Sequence, residues 1–136
     1  MRERLAVATV AHLATADADG KPHLVPICFA LDGDAIYFAV DAKPKRTPEL
    51  KRLKNIAANP RVSVLVDHYD KDWSKLWWVR ADGTAHTVTD AALADRALDA
   101  LAQRYPQYRQ ARPRGPVVAI TIQSITGWSA ADIPAC

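Results

Sequence analysis

The sequence predicts a mainly β fold of the α+β class, an antiparallel barrel or strongly bent sheet that carries two or three helices. Six or seven short segments have the alternating or β-branched-rich pattern of strands, and turn residues such as Asp-Gly separate several of them. The helical segments do not alternate strictly with these strands, which argues against a parallel βαβ sheet.

The composition fits a single domain over residues 1–136. A chain of 136 residues, 49% of them hydrophobic, can bury a core of ordinary size. No apolar run reaches the roughly 18 residues of a membrane span, and the charged segment MRERLAVATV does not resemble a signal peptide. We therefore expect a cytoplasmic protein without a membrane segment. Cys28 and Cys136 do not form a disulfide or metal-binding pattern, so both are expected to be free thiols.

The first 40 residues predict a short helix and then a three-stranded antiparallel meander. Residues 2–10 carry a weak helical pattern of apolar residues among charged ones. The turn ADGK separates a strand that begins near residue 12 from a second strand over residues 23–31, and Asp32-Gly33 leads into a third over residues 35–40. Pro26 cannot donate to a strand ladder, so it marks an edge, a bulge or an interruption of pairing.

Residues 47–58 predict a helix. Thr47 is a suitable N-cap, Pro48 suits the first helical position, and Asn59-Pro60 ends the segment. The predicted inward apolar stripe consists of Leu50, Leu53, Ile56 and Ala57. Asn55 is expected to point away from this stripe.

The second half of the chain predicts further strands and one more helix. Residues 61–67 form a strand with alternate valines on one face, and residues 76–88 form two short strands or one bent strand around Asp82-Gly83. A helix capped by Thr89-Asp90 extends to about Tyr105. A loop then leads to a final strand over residues 117–125.

No motif predicts a catalytic side chain or a metal site. The five glycines stand singly at turns, so neither a dinucleotide fingerprint nor a P-loop is present. The four histidines lack the spacing of a zinc motif, and there is no GxSxG nucleophile motif. The cluster Asp67, His68, Asp70 and Asp72 is more typical of a solvated turn than of acid–base catalysis.

The most unusual feature is the basic segment, residues 43–61. It holds seven basic residues and one acidic residue, a net charge of +6 in a chain of net charge +3. A solvated helix face explains Lys51, but Lys45 and Arg46 precede the helix N-terminus, where cations oppose the helix dipole. A phosphate bound by the Thr47 hydroxyl, free backbone N–H groups and these cations would relieve that repulsion. Nucleic acid fits less well, because aromatic residues are not interleaved with the charge.

Phosphate contacts alone do not account for useful affinity. Two or three charge-assisted hydrogen bonds of about 1.5–3 kcal/mol each are largely cancelled by an association cost of about 4–15 kcal/mol. A flat apolar body must therefore be buried as well. The candidate ring partners are Tyr37, Phe38, Trp73, Trp77 and Trp78. A phosphate joined to a flat heterocycle describes a flavin-type cofactor.

Three stretches of the chain carry a resemblance to a known family. They are LATADADGKPHLVPICFALDGDAIYFAV, the basic helix with KNIAANPRVSVLVDHYDKDW, and WWVRADGTA with the closing VVAITIQSITGW. The pattern (K/R)xxN(L/I)xxxPR, which begins at Arg52 and ends at Arg61, is the most specific part. Together they resemble the flavin-binding split β-barrel group related to pyridoxamine 5′-phosphate oxidase, and within it the oxidoreductases that use the deazaflavin coenzyme F420. The resemblance implies a homodimer with cofactor sites at the subunit interface.

The resemblance also implies which residues bind the cofactor. Arg52 stands at the position of a phosphate-contacting lysine, residues 25–27 border the ring system, and residues 38–40 form the strand beside it. Trp73 matches an aromatic residue that lies near the cofactor across the dimer interface. The full expected set is Val25, Pro26, Ile27, Phe38, Ala39, Val40, Lys45, Arg46, Thr47, Lys51, Arg52 and Trp73. Arg80 is not typical of a purely structural strand position, and its role is left open between the anionic cofactor tail and an acidic substrate.

The function that the resemblance implies is hydride transfer from reduced F420 to a small unsaturated or quinone-like molecule. In such enzymes the cofactor carries the redox chemistry, and the protein supplies binding, orientation and electrostatics. FMN is the alternative cofactor. A protein that binds or carries F420 or FMN without catalysis is the alternative function, and binding of pyridoxal phosphate without redox chemistry is a third.

Overall fold

The computed structural model describes residues 1–40 and 48–132, which form one curled, seven-stranded antiparallel sheet with four helices. This half-barrel confirms the predicted mainly β class. The strands are β1 (Ala11–Ala16), β2 (Pro22–Ile27), β3 (Ala30–Asp32), β4 (Ala35–Ala39), β5 (Arg61–His68), β6 (Trp77–Thr87) and β7 (Val117–Ser129). The helices are α1 (Arg2–Val7), α2 (Pro48–Ala58), α3 (Ala91–Arg104) and α4 (Pro106–Gln110), with 3₁₀ turns at Trp73–Lys75 and Ala130–Asp132.

The strand order is β2-β1-β5-β6-β7-β4-β3, so the two N-terminal hairpins lie at opposite edges of the sheet. The predicted three-stranded meander is therefore wrong, because β2 pairs with β1 while β3 and β4 pair with each other and β4 with β7. Only Cys28 and Phe29 separate the end of β2 from the start of β3. Two intervening residues span at most about 11 Å, so the curl brings the two edges of the sheet close together.

The break between β2 and β3 is stabilised by hydrogen bonds from residues at the C-terminal end of α3. Phe29 is fully buried, and its backbone N–H donates to the Tyr105 hydroxyl at 2.9 Å. The Phe29 carbonyl accepts from Arg104 Nη1 at 3.1 Å, and the Tyr105 hydroxyl lies 2.9 Å from the Thr9 carbonyl. Burial raises the pKa of Tyr105, which favours the protonated donor form. These bonds replace the ladder bonds that a continuous strand would have made.

The inner face of the curled sheet is buried, whereas the outer face is covered by α3 over β3, β4 and the start of β7 and is open over β1, β2 and β5. On β5 the side chains of Val62, Val64 and Val66 are buried, as predicted, whereas Leu65 on the opposite face is half-buried. Strand β6 is one long strand, and β7 continues beyond the predicted end to Ser129. None of the helices in the described ranges is long and apolar enough to span a membrane.

A bulge in the β6–β7 pairing changes the alternation along β7. Asp82 pairs with Ser124 and the next residue, Gly83, pairs with Ile122, so Gln123 is the extra residue of β7. Beyond this point the outward positions of β7 are shifted by one residue, and Ser124 lies on the same face as Asp82. The bulge therefore places a hydroxyl group on the outer face beside the Asp82 carboxylate.

Candidate cofactor site and outer groove

Helix α2 is fixed to the barrel by a buried polar contact. The Asn55 side-chain Nδ2 donates to the Thr15 hydroxyl at 3.1 Å, and the two residues are only 3% and 4% exposed. The expectation that Asn55 points away from the core is therefore wrong, because its hydrogen-bond partner lies on a distant strand. Of the predicted stripe, Ile56 is buried and Leu53 half-buried, but Ala57 is exposed. A buried amide with a partner orients α2 more specifically than apolar packing alone.

The orientation of α2 brings a predicted phosphate-binding residue next to a predicted ring-binding strand. The Arg52 guanidinium carbon lies 5.9 Å from the centre of the Phe38 ring on β4, and the Phe38 side chain is 1% exposed. Lys51 is exposed on the same helix. The hydrogen bond from the Lys21 backbone N–H contributes most to lowering the pKa of Asp17 in the β1–β2 turn, and the charge of Lys51 makes a smaller contribution.

The other predicted cofactor residues are distributed between edge strand β2 and strand β4, next to the opposite edge of the sheet. Residues 25–27 lie on edge strand β2, where Val25 is half-buried, Pro26 exposed and Ile27 buried. Strands β2 and β4 are not hydrogen-bonded neighbours, yet Ile27, Phe38 and Val40 belong to one core cluster, and Ala39 is half-buried. Lys45, Arg46 and Thr47 lie outside the described residues.

Trp73 and the acidic loop that precedes it lie at the surface. The Trp73 side chain is 77% exposed, and the 3₁₀ turn that carries it is capped by Asp72, whose carboxylate accepts from the Ser74 N–H at 3.0 Å. The hydrogen bonds from Ser74 lower the pKa of Asp72. His68 Nε2 lies 3.5 Å from the carboxylate of Asp70, and both are solvent-accessible. The described residues contain no group of three or more His, Cys, Asp and Glu side chains that would hold a metal.

The outer face of the sheet contains a groove that the sequence did not predict. We refer to it as the outer groove; it has a volume of about 390 Å³ and opens over β1, β2, β5 and β6. Its lining residues are His12, Ala14, Leu24, Ser63, Leu65, Asp67, Tyr69, Trp78 and Arg80. His12, Leu65 and Arg80 lie in one row across three paired strands, so strand register rather than sequence spacing brings them together.

Arg80, whose role the sequence analysis left open, lies at one end of this groove. Its Nε lies 2.9 and 3.1 Å from the two carboxylate oxygens of Asp82. The same carboxylate accepts from the Ser63 hydroxyl at 2.6 Å and from the Ser124 hydroxyl. Partial burial alone raises the pKa of Asp82, but the hydrogen bonds from Ser63, Arg80 and Ser124 and the charge of Arg80 outweigh it, and the pKa is lowered. Asp82 therefore stays ionised and orients the guanidinium.

The fold and the site define a small split barrel with a basic helix packed against it and a largely apolar groove on its outer face. The family model for pyridoxamine 5′-phosphate oxidase matches residues 1–129, so the chain belongs to this family. The match confirms the broad family resemblance found in the sequence. No curated protein is significantly similar to the chain.

Solved structures with the same fold include three that illustrate its range. An FAD-binding protein from Mesorhizobium loti is 24% identical, with a TM-score of 0.69 over 93% of this chain and 89% of that one. A conserved hypothetical protein from Mycobacterium tuberculosis is 23% identical, with a TM-score of 0.77 over 98% of this chain and 86% of that one. The heme storage protein HutZ from Vibrio cholerae is 17% identical, with a TM-score of 0.69 over 92% and 87%. These identities establish a shared fold alone.

Proposed function

We propose that this protein is an oxidoreductase that uses reduced coenzyme F420 to transfer a hydride to a small unsaturated or quinone-like molecule. The observation that carries the proposal is the position of Arg52 beside Phe38. It places a cation of α2 next to β4, the strand expected to lie beside the ring system. A cofactor with a phosphate at one end and a flat ring at the other requires a cation close to the strand that contacts the ring.

The residues of α2 suit an anionic group. Arg52 offers a planar fork of donors and Lys51 a mobile ammonium, and the bond between Asn55 and Thr15 limits how far the helix can move. When bound, reduced F420 supplies the hydride, while the protein binds and orients the partners. The buried side chain of Phe38 keeps water from one side of the Arg52 guanidinium, which strengthens its interaction with an anion.

A titration with both cofactors tests this proposal. We expect oxidised F420 to bind the purified protein with micromolar or tighter affinity in a fluorescence titration, and FMN to bind more weakly. Reduced F420 should then be oxidised by an enone or a quinone only when the protein is present. Failure of both cofactors to bind would overturn the proposal. Binding of F420 without oxidation by any acceptor would favour a carrier protein over an enzyme.

FMN is the second candidate cofactor, since a solved structure of the same fold is described as an FAD-binding protein. A binding or storage protein is the second candidate function, because another structure of this fold is described as a heme storage protein. Tighter binding of FMN than of F420 in the titration above would favour the flavin. Absorbance of the purified protein distinguishes a bound flavin, a heme or pyridoxal phosphate.

We further propose that the protein is a homodimer in which a second copy covers the outer face of the sheet. Leu24 on β2 is 68% exposed and Trp128 on β7 is 38% exposed, and both project from this face together with Trp78. Large apolar side chains that remain exposed on one sheet face are typical of an interface. A second copy laid there would close the outer groove between the subunits.

Substitution of Leu24 tests the dimer. We expect Leu24→Arg to shift the protein from dimer to monomer in sedimentation experiments at micromolar concentration, because a charge would be buried without a partner in each subunit. Val7→Arg is the matched control, since Val7 is 74% exposed on α1, away from the sheet face. A wild-type protein that sediments as a monomer would contradict the proposal.

A further inference from the structure

The guanidinium of Arg80 has two Nη groups that can donate hydrogen bonds to a ligand. Its Nε is occupied by Asp82, but neither Nη group donates to any residue within the described part of the chain. Because Arg80 lines the outer groove, these donors are available at the groove. The carboxylate that holds Arg80 is itself held by Ser63 and by Ser124, so a ligand would meet a guanidinium that is already oriented.

We propose that the outer groove binds a flat organic monoanion, an aromatic or conjugated carboxylate, through the Nη groups of Arg80. The role of this molecule as the hydride acceptor rests on the proposed function, whereas its binding to the groove does not. A conjugated carboxylate is also a small unsaturated molecule, so the inference narrows the substrate class proposed above.

The charges around the groove limit a ligand bound by Arg80 to a single negative charge. Among the described residues that line the groove, Arg80 is the one lysine or arginine, and its charge is already shared with Asp82. Asp67 lines the same groove and would repel a dianion such as a phosphate ester. A carboxylate carries one charge and matches the planar geometry of the guanidinium with two parallel hydrogen bonds.

The walls of the groove favour a flat apolar body. Trp78 and Tyr69 offer aromatic surfaces, and Leu24 and Leu65 complete an apolar lining. The Arg80 guanidinium carbon lies 5.9 Å from the centre of the Trp78 ring, so the anion-binding group and an aromatic wall are adjacent. A volume of about 390 Å³ lies within the range of small-molecule pockets.

The proposal is tested with a pair of ligands that differ only in charge. Cofactor-free protein is titrated with 2-naphthoate and with the neutral 2-naphthalenemethanol, and binding is followed through the indole N–H signals of the tryptophans. We expect naphthoate to bind more tightly than the alcohol and to shift the Trp78 signal more than the other tryptophan signals. The Trp78 signal is assigned as the one that is lost in Trp78→Phe. Equal affinity for the two ligands, or an unshifted Trp78 signal, would overturn the proposal.

Substitution of Arg80 tests whether its guanidinium is the group that binds the carboxylate. Arg80→Gln should weaken naphthoate binding by about tenfold and leave the affinity for the alcohol unchanged. Arg80→Lys keeps the charge without the planar fork and should restore part of the loss. Arg96→Gln is the matched control, because Arg96 is also paired with an aspartate, Asp32 at 2.7 Å, on a different part of the surface. An equal loss in the Arg96 variant would contradict the assignment.

The same titration separates this inference from the proposed function. If naphthoate binds as expected but F420 does not bind, the carboxylate site in the outer groove is supported and the proposed function is overturned. If F420 displaces naphthoate, Arg80 binds the cofactor tail, and the assignment of the groove to the substrate is overturned. Simultaneous binding of F420 and naphthoate supports both.

Discussion

Arg52→Glu is expected to weaken F420 binding by between about tenfold and a hundredfold. In the proposed site, the substitution would remove a charge-assisted hydrogen bond to the cofactor phosphate and add a repulsive carboxylate beside it. The Arg52 guanidinium lies against the buried Phe38 ring, so the lost interaction is less screened by water than one at the surface. Fluorescence titration of oxidised F420 measures the affinity, and thermal unfolding confirms that the variant is folded.

Two further variants identify the cause of this loss. Lys54→Glu makes the same change of charge at an exposed position of α2 and should alter the affinity much less. Arg52→Lys retains the positive charge and should lose only part of the affinity. Unchanged affinity in Arg52→Glu would exclude this part of α2 as the phosphate site, and an equal effect of Lys54→Glu would reduce the role of Arg52 to long-range attraction.

The elements that local chemistry determines were predicted correctly. Helix α3 begins after Asp90, whose carboxylate accepts from the Ala92 N–H at 3.2 Å, as its capping sequence predicts. Helix α2 begins at Pro48 and ends before Asn59-Pro60, and the alternating valines of β5 are buried. Caps, proline positions and alternation are encoded by residues within a few positions of one another, so a single sequence suffices to read them.

The path of the chain through the sheet was not predictable in the same way. Residues 23–31 have the composition of one strand, and the break at Phe29 depends on hydrogen bonds from Tyr105 and Arg104, more than 70 residues later in the chain. No local signal distinguishes a strand that continues from one whose backbone groups are satisfied elsewhere. The same reason explains why Asn55 was assigned to the wrong side of α2, since its partner Thr15 lies on another element.

The candidate sites show a similar division. The charge of the basic segment was evident from composition, and the resemblance implied a cofactor-binding role for Arg52, which stays a prediction. The outer groove was not, because Ser63, Arg80 and Ser124 come from three strands and meet only through the register of β5, β6 and β7. The bulge at Asp82 and Gly83 adds a one-residue shift that alternation cannot predict.

That bulge also explains why a glycine occurs at the centre of a buried strand. Gly83 is buried on β6, and a Cβ atom added there would lie 2.1 Å from the carbonyl oxygen of Thr121 on β7. The obstacle is backbone held in the β6–β7 ladder, so it cannot rotate away as a side chain would. The contact therefore has to be relieved by separating the two strands that also align Asp82 with Ser124.

Gly83→Ala is accordingly expected to lower the free energy of unfolding by about 2–3 kcal/mol, the upper part of the range for overpacking a core. Gly127→Ala is the control on β7, where an added Cβ would lie 2.7 Å from Sδ of Met1, a flexible side chain, and 3.1 Å from the backbone carbonyl oxygen of Trp78. Its cost should stay below about 1 kcal/mol, because Met1 can move aside and the contact with the Trp78 carbonyl is far less severe than the 2.1 Å contact at Gly83. Chemical denaturation of both variants measures the difference, and equal losses would contradict the argument that the Thr121 backbone is the rigid obstacle.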